Sequence, residues 1–243
     1  MNNKKLSISI IIPTYNECKN IPILVEEIFQ TIAPYPHLDV ELIIVDDNSP
    51  DGTGAIADEL SKKFPVQVIH RSGKCGLGSA VMAGFRQSSR ALLGVMDGDL
   101  SHDPAVLPGM ISKLEECDIV IGSRFNPVSQ MEGKWPFFRK LTSQVGVFLA
   151  KKIANVSDPL SGYFFTKRSV IEKVSLTSPG YKILFEILVK GNYSQCCEVP
   201  FIFRSRKFST SKLDLTEYLL FFKQILFLGV RKLMRRPRTP SPR

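Results

Sequence analysis

Asp97 and Asp99, one residue apart in MDGDLSHDP, are the side chains best suited to chemistry in this 243-residue sequence. Two carboxylates at that spacing can share a divalent cation. Mg²⁺ and Mn²⁺ prefer oxygen donors, and Mg²⁺ commonly takes one or two carboxylates together with substrate phosphate oxygens. A D-x-D pair is weak evidence alone, since chance and helix capping both produce it. His102, in the same run, reads as a loop or capping residue rather than a zinc ligand, because only three histidines exist and they lie far apart. A second acidic run, Asp46-Asp47-Asn48-Ser49-Pro50-Asp51, can accept hydrogen bonds from a nucleotide base or ribose. It is also a strong turn sequence whatever the function.

Beyond residue 123 the chemistry changes sign. Arg124 is followed by Lys134, Arg139 and Lys140 among Trp135, Phe137 and Phe138. Later, Arg204, Arg206, Lys207 and Lys212 lie among Phe201, Phe203 and Phe208. Basic residues interleaved with aromatics suit nucleic acid, or a phosphate head group with an apolar tail beside it. The bland alternative is solvated loops, although so many phenylalanines are wasteful on open surface.

Positioning these residues calls for a scaffold, and the sequence outlines one. Leu6–Ile12, Glu41–Val45, Val66–Ile69, Leu92–Met96 and Ile119–Ile121 read as strands, alternating with helical stretches. Asn20 with Pro22, and Asp103 with Pro104, mark two helix starts. Such alternation predicts an α/β fold with a Rossmann-like, mostly parallel sheet flanked by helices. Ligands of such sheets bind outside the carboxyl ends of the strands, and the polar runs follow strands one, two and four. The first strand ends in PTYNE without the glycines of a dinucleotide-binding turn, and Gly73, Gly76 and Gly78 have the wrong spacing. The pattern therefore argues against an NAD-type oxidoreductase. A phosphatase of the haloacid dehalogenase type would carry its D-x-D after the first strand, not the fourth.

The net charge of +9 suggests nucleic acid until it is mapped. Residues 231–243 carry +6, residues 124–152 carry +5 and residues 199–212 carry +4, leaving −6 elsewhere. Five cysteines, an odd number with no C-x-x-C pair, read as reduced, and Cys196 and Cys197 would face opposite ways on a strand. Residues 6–12 are too short for the apolar core of a secretory leader, so the sequon at Asn155 is read as silent. Tyr218–Val230 is about 20 Å long as a helix, against a hydrocarbon core of about 30 Å, and Lys223 interrupts it. Leu215, Leu219, Phe222, Leu226 and Leu233 would line one helical face. With the basic cluster behind them, they predict an amphipathic helix in a membrane interface.

In order along the chain, IIPTYNE, VDDNSPDGT, KCGLGSA, MDGDLSHDP, IGSRF, WPFFRKLTS, DPLSGYFF and EVPFIFRSRKFSTSKL resemble the motifs of inverting glycosyltransferases of family 2 with the GT-A fold. Within that family they are most similar to the polyprenyl-phosphate (dolichol-phosphate) mannosyltransferases. The likeness runs from about residue 6 to 213, so residues 1–213 are expected to form the catalytic domain and 214–243 the interface helix and basic tail. It implies nucleotide-sugar contacts from Pro13, Tyr15, Glu17, Val45, Asp47, Asp97, Gly98, Asp99, Arg124, Arg206 and Lys212. It implies Mg²⁺ or Mn²⁺ on Asp97, Asp99 and Ser101, and lipid phosphate held by Arg124, Arg139, Ser143, Lys182 and Arg206. Asp97, Asp99, Arg124 and Arg206 are the expected catalytic set. Gly98 replaces a frequent alanine of the family, and Ser209 stands where glycine is favoured.

The implied reaction moves mannose from GDP-mannose to a polyprenyl phosphate with inversion, on the cytoplasmic face of a membrane. A separate small membrane-anchoring subunit is a possible partner. UDP-glucose or another nucleotide sugar is the alternative donor. A non-catalytic module binding lipid phosphate or nucleic acid is the remaining class.

Overall fold

The computed structural model describes residues 5–125, 130–131, 150–177 and 182–205. They form strands β1 (Leu6–Thr14), β2 (Leu38–Asp46), β3 (Val66–His70), β4 (Leu92–Val95), β5 (Ile119–Ser123), β6 (Gln130–Met131), β7 (Phe164–Lys167), β8 (Cys196–Pro200) and β9 (Ile202–Phe203). The helices are α1 (Ile21–Ile32), α2 (Thr53–Ser61), α3 (Leu77–Gln87), α4 (Leu107–Ser112), α5 (Arg168–Ile171) and α6 (Ile183–Lys190). All five strands read from the sequence are present.

Alternate residues of the central strands feed two separate cores. Ile8, Ile10 and Ile12 of β1 and Leu42 and Ile44 of β2 face one, with α1 and α4. Ile11, Ile43 and Val45 face the other, with α3 and α6. Burial on both faces explains why these strands read as unbroken β-branched runs instead of alternating with polar residues. Gly94 in β4 lies under a ring: an added Cβ would sit 2.0 Å from Phe165 Cε1. We expect Gly94→Ala to destabilise by about 1–3 kcal/mol through overpacking, read as a lowered thermal midpoint.

The main sheet runs β3-β2-β1-β4-β7-β5-β8. Every pairing is parallel except those of β7, which is antiparallel to both β4 and β5. Strand order switches direction beside β1, between β2 and β4, and the carboxyl ends of β1, β2, β4 and β5 share one edge. Because β7 runs the other way, its beginning lies at that same edge and delivers the loop before it, residues 158–163. This reversed strand positions half of the site.

Asp118 ties the opposite edge together. It accepts from Ser194 N (2.9 Å), Ser194 Oγ (2.9 Å) and Gln195 N (3.2 Å), and pairs with Lys167 Nζ at 3.0 Å. Burial raises its pKa, but these donors outweigh that and hold it at about 2. A folded pKa below the unfolded one gives stability that is complete above about pH 4 and lost as pH falls towards 2. Asp118→Asn should remove on the order of 2 kcal/mol at pH 7 and flatten the acid limb of a pH series of thermal midpoints.

One expectation fails here. Cys117 and Cys197 form a disulfide, Cα to Cα 6.1 Å, across 80 residues of sequence. The parallel β5–β8 ladder brings these distant segments side by side, which no spacing rule shows. The alternation of Cys196 and Cys197 does hold. Cys197 packs against the first core and Cys196 against the second, where burial and then the Glu198 charge push its thiol up to about 12.

The expected helix and tail of residues 214–243, and so the boundary at 213, lie outside the described residues. Among the described residues, no helix is long and apolar enough to cross a membrane.

Candidate active site

The acids after β2 divide their labour. Asp46 accepts from Ser49 N (2.9 Å), Ser49 Oγ (2.5 Å) and Thr14 Oγ1 (3.1 Å), closing the turn. Asp51 accepts from Thr53 N (3.1 Å) and Oγ1 (2.6 Å) and from Cys18 N (3.1 Å), joining this turn to the loop after β1. Asn16 and Asn48 sit at the left-handed φ of 57°, which asparagine tolerates better than most residues. Asp47 faces elsewhere. It pairs with Arg71 at 2.8 Å and accepts from Cys75 N (3.1 Å) and Gly76 N (3.2 Å). Burial raises its pKa against the opposing pull of Arg71. The turn reading therefore holds for Asp46 and Asp51, whereas Asp47 is held by Arg71 and the backbone of Cys75 and Gly76.

Four more of the expected nucleotide contacts, Pro13, Val45, Glu17 and Tyr15, lie at this edge. Pro13 lies opposite Val45 in the β1–β2 ladder, and Val45 is fully buried. Glu17 is buried and accepts from Asn20 Nδ2 at 2.6 Å. Half-buried Tyr15 has Lys74 Nζ 5.0 Å from its ring centre.

After β4, Asp99 accepts at Oδ1 from Ser101 N (3.1 Å) and Ser101 Oγ (2.5 Å). Ser101 is fully buried, so its hydroxyl orients Asp99. Leu100, at φ 64°, occupies a left-handed conformation that costs a bulky residue about 1–3 kcal/mol. This strain sits beside the Asp99 carboxylate. At Gly98 an added Cβ would lie 3.2 Å from Ile21 Cδ1 and 3.3 Å from Thr14 Cγ2, so an alanine there would need both side chains to shift by a few tenths of an ångström.

Asp97 is framed by residues from both sides. Its N–H donates to His102 Nδ1 at 3.0 Å, so the ring proton lies on Nε2, which is 3.6 Å from Asp97 Oδ2. The His102 ring stacks on Tyr163 with centroids 4.8 Å apart. Gly162, delivered by the reversed β7, leaves room for the carboxylate: a Cβ there would sit 3.1 Å from both Asp97 oxygens.

At the end of β5 stands a basic group whose key partner sequence reading missed. Arg124, at the end of β5, donates from Nε (2.8 Å) and Nη2 (2.9 Å) to the two oxygens of Asp158, and its backbone N also donates to Oδ2 (3.1 Å). Asp158 is fully buried. Burial raises its pKa, but the Arg124 charge outweighs this and lowers it. Lys182 Nζ donates to Leu160 O at 3.0 Å. Desolvation, then Arg124, lower its pKa to about 7 against the pull of Asp158 and Asp97. Asp97, Arg124, Asp158 and Lys182 are thus one electrostatic group. The available signal for Asp158 was an acid opening DPLSG before an apolar strand.

Arg204, counted among the basic residues, is committed to ion pairs with Glu27 and Asp103, both at 2.8 Å. Arg139, Ser143, Arg206 and Lys212 lie outside the described residues.

The acidic edge fits a hard divalent cation. Its donors are carboxylate oxygens, with Asp97 partly exposed and Asp99 oriented by Ser101. No cluster of three or more potential metal-binding side chains occurs among the described residues.

Residues 9–175 match the family model described as glycosyl transferase family 2. Over 214 residues the chain is 45% identical to the dolichol-phosphate mannosyltransferase of Pyrococcus furiosus, covering 86% of this chain and 59% of that one. The chain thus spans about three-fifths of that relative's length. It is 33% identical over 233 residues to the dolichol-phosphate mannosyltransferase of Saccharomyces cerevisiae, covering 92% and 87% of the two chains. Among solved structures, the fold matches the glucosyl-3-phosphoglycerate synthase of Mycobacterium tuberculosis in complex with Mn²⁺, UDP-glucose and phosphoglyceric acid. The TM-score is 0.64 at 20% identity, over 96% and 81% of the chains. The architecture is the expected GT-A arrangement, and by the match across most of its length the chain belongs to glycosyl transferase family 2.

Proposed function

We propose that this protein transfers mannose from GDP-mannose to a polyprenyl phosphate such as dolichyl phosphate, with inversion at the sugar C1. The observation that carries the reading is that Lys182 lies within electrostatic reach of both Asp97 and Arg124 at one sheet edge, with Arg124 held in a fork by Asp158. The 45% identical dolichol-phosphate mannosyltransferase supports the choice of substrates.

A phosphate oxygen of the lipid forms the new bond to C1 as the bond from C1 to the GDP β-phosphate oxygen breaks. The acceptor is already an anion, so the reaction needs no strong general base. It needs cations that hold two anionic groups together. Arg124 is oriented for that role by Asp158, with Lys182 beside it, and Arg139, Ser143, Arg206 and Lys212 are proposed to join them. Asp97 and Asp99 would hold Mg²⁺ or Mn²⁺, which when bound supplies charge stabilisation for the departing diphosphate. Ser101 is the third proposed ligand, and its hydroxyl already orients Asp99. Asp47 shapes the nucleotide end through Arg71, Cys75 and Gly76, with Pro13, Tyr15, Glu17, Val45 and Gly98 around the nucleotide.

We place the protein at the cytoplasmic face of a membrane as a peripheral enzyme, its residues 214–243 lying in the interface. A separate anchoring subunit remains an alternative to that helix.

Incubating the protein with polyprenyl phosphate and Mg²⁺, separately with labelled GDP-mannose and UDP-glucose, tests the donor. Label in lipid from GDP-mannose is expected. Label only from UDP-glucose would change the donor, and label from neither would remove the reading.

A further inference from the structure

Glu198 has no part in the site described so far, yet it underlies the Arg124 fork. It lies in β8 opposite Ile121 of β5, two residues before the end of that strand. Its Oε2 accepts from Ser157 N at 3.0 Å and its Oε1 from Asp158 N at 2.9 Å. Both carboxylate oxygens are therefore bonded to successive backbone N–H groups. The segment they hold begins where the helix of residues 150–154 stops. Asn155 ends that helix at the left-handed φ of 57°, and its N donates to Lys151 O at 2.8 Å. Besides the Asp158 contacts with Arg124 and with Ser161 N, the Glu198 carboxylate is what bonds the backbone N–H groups of this turn. With it, Asp158 is set at a fixed distance from β5, and its side chain meets the guanidinium squarely enough for a two-point contact.

We propose that Glu198 is a positioning residue for transfer: it fixes the turn at Ser157–Asp158, and Asp158 thereby fixes the guanidinium of Arg124. The chain of contacts is short and geometrically strict. A planar guanidinium forked on a carboxylate has one orientation, whereas a singly bonded one swings. Misplacing a group that holds the reacting phosphate slows the chemical step more than it weakens nucleotide binding. The consequence for transfer rests on the function proposed above, but the mechanical coupling does not.

Glu198→Gln is the test variant. It keeps size and one acceptor oxygen, but turns an NH₂ donor towards the other N–H. Glu198→Asp, too short to reach both N–H groups, is the second variant should the first not fold. Hydrogen exchange of the Arg124 Nε–H is measured by NMR, with the signal assigned by its loss in Arg124→Lys. Exchange should accelerate about tenfold or more in Glu198→Gln while amides of β1 and β2 keep their protection. Unchanged Nε–H protection in a folded variant would overturn the proposal, whether or not any transfer is found.

In the transfer assay, Glu198→Gln should lower kcat about tenfold, with the nucleotide-sugar KM changing less than about twofold. In an Arg124→Lys background the same change should cost less than about twofold, because the residue it acts through is already altered. An equal loss in both backgrounds would mean that Glu198 acts independently of Arg124 and would also overturn the proposal. If the wild-type protein transfers no sugar from either donor, the functional reading fails and the exchange measurement still decides the coupling.

Discussion

Asp99→Asn is expected to reduce transfer by roughly 10²–10³-fold or more, the scale lost when preorganised charge stabilisation is removed from a transition state. The substitution is close to isosteric. An asparagine oxygen can still accept from Ser101 N and Oγ, which now bond Asp99 Oδ1 at 3.1 and 2.5 Å. The left-handed Leu100 and the buried Ser101 therefore keep their supports, and stability should change by less than about 1 kcal/mol. Initial rates across a Mg²⁺ or Mn²⁺ titration, beside thermal unfolding, check both halves. A folded variant that regains full rate at high metal would reduce Asp99 to an affinity role. One that keeps full rate at all metal concentrations would remove it from the site. Ser101→Ala should show a smaller loss, because in this structure its hydroxyl acts on Asp99.

Asp158→Ala is expected to produce the largest loss of stability, about 3–5 kcal/mol. It strands the partner of a buried ion pair without a counter-charge. Asp158 is fully buried and takes both side-chain bonds of the Arg124 fork. For a chain of this length the thermal midpoint should fall by roughly 10 °C, at about 2–4 °C per kcal/mol. Replacing both members, Asp158→Leu with Arg124→Met, should recover most of that stability, since an apolar pair of similar volume avoids the desolvation penalty. Transfer should stay absent in the double variant. Recovery of activity along with stability would show that Arg124 serves the fold alone.

These two predictions fall on opposite sides of what local sequence makes readable. Asp97 and Asp99 are legible because they follow a short apolar run within a strand–helix alternation, and such a fold directs strand ends to ligands. The Asp103 start is legible for a similar reason: its carboxylate accepts from Ala105 N at 3.0 Å immediately before Pro104 and Ala105. The Asn20 start is right in place but different in mechanism. Its amide donates to Glu17 instead of capping backbone N–H groups.

The three acids after β2 mark the limit. Asp46, Asp47 and Asp51 look alike in a turn sequence, and a family resemblance separated them where turn chemistry did not. The physical difference is the Arg71 guanidinium and the N–H groups of Cys75 and Gly76, which bond the Asp47 carboxylate because β3 lies beside β2. His102 shows the same limit. Reading it as a loop residue rather than a zinc ligand leaves out its bond to Asp97 N and its stacking on Tyr163.

The sequence alone determined the α/β class, the acidic edge and the change to basic chemistry after β5. Those follow from hydrophobic periodicity and from residues close together in the chain. Tertiary structure alone decided that Arg124 would be forked by Asp158, that Asp158 would be set by Glu198, and that Cys117 would meet Cys197. Each of those pairs joins residues 34 to 80 positions apart, through the insertion of antiparallel β7 between β4 and β5 and the addition of β8 beside β5. Strand order is settled by how whole faces bury against one another, and periodicity within a strand carries no record of its neighbour.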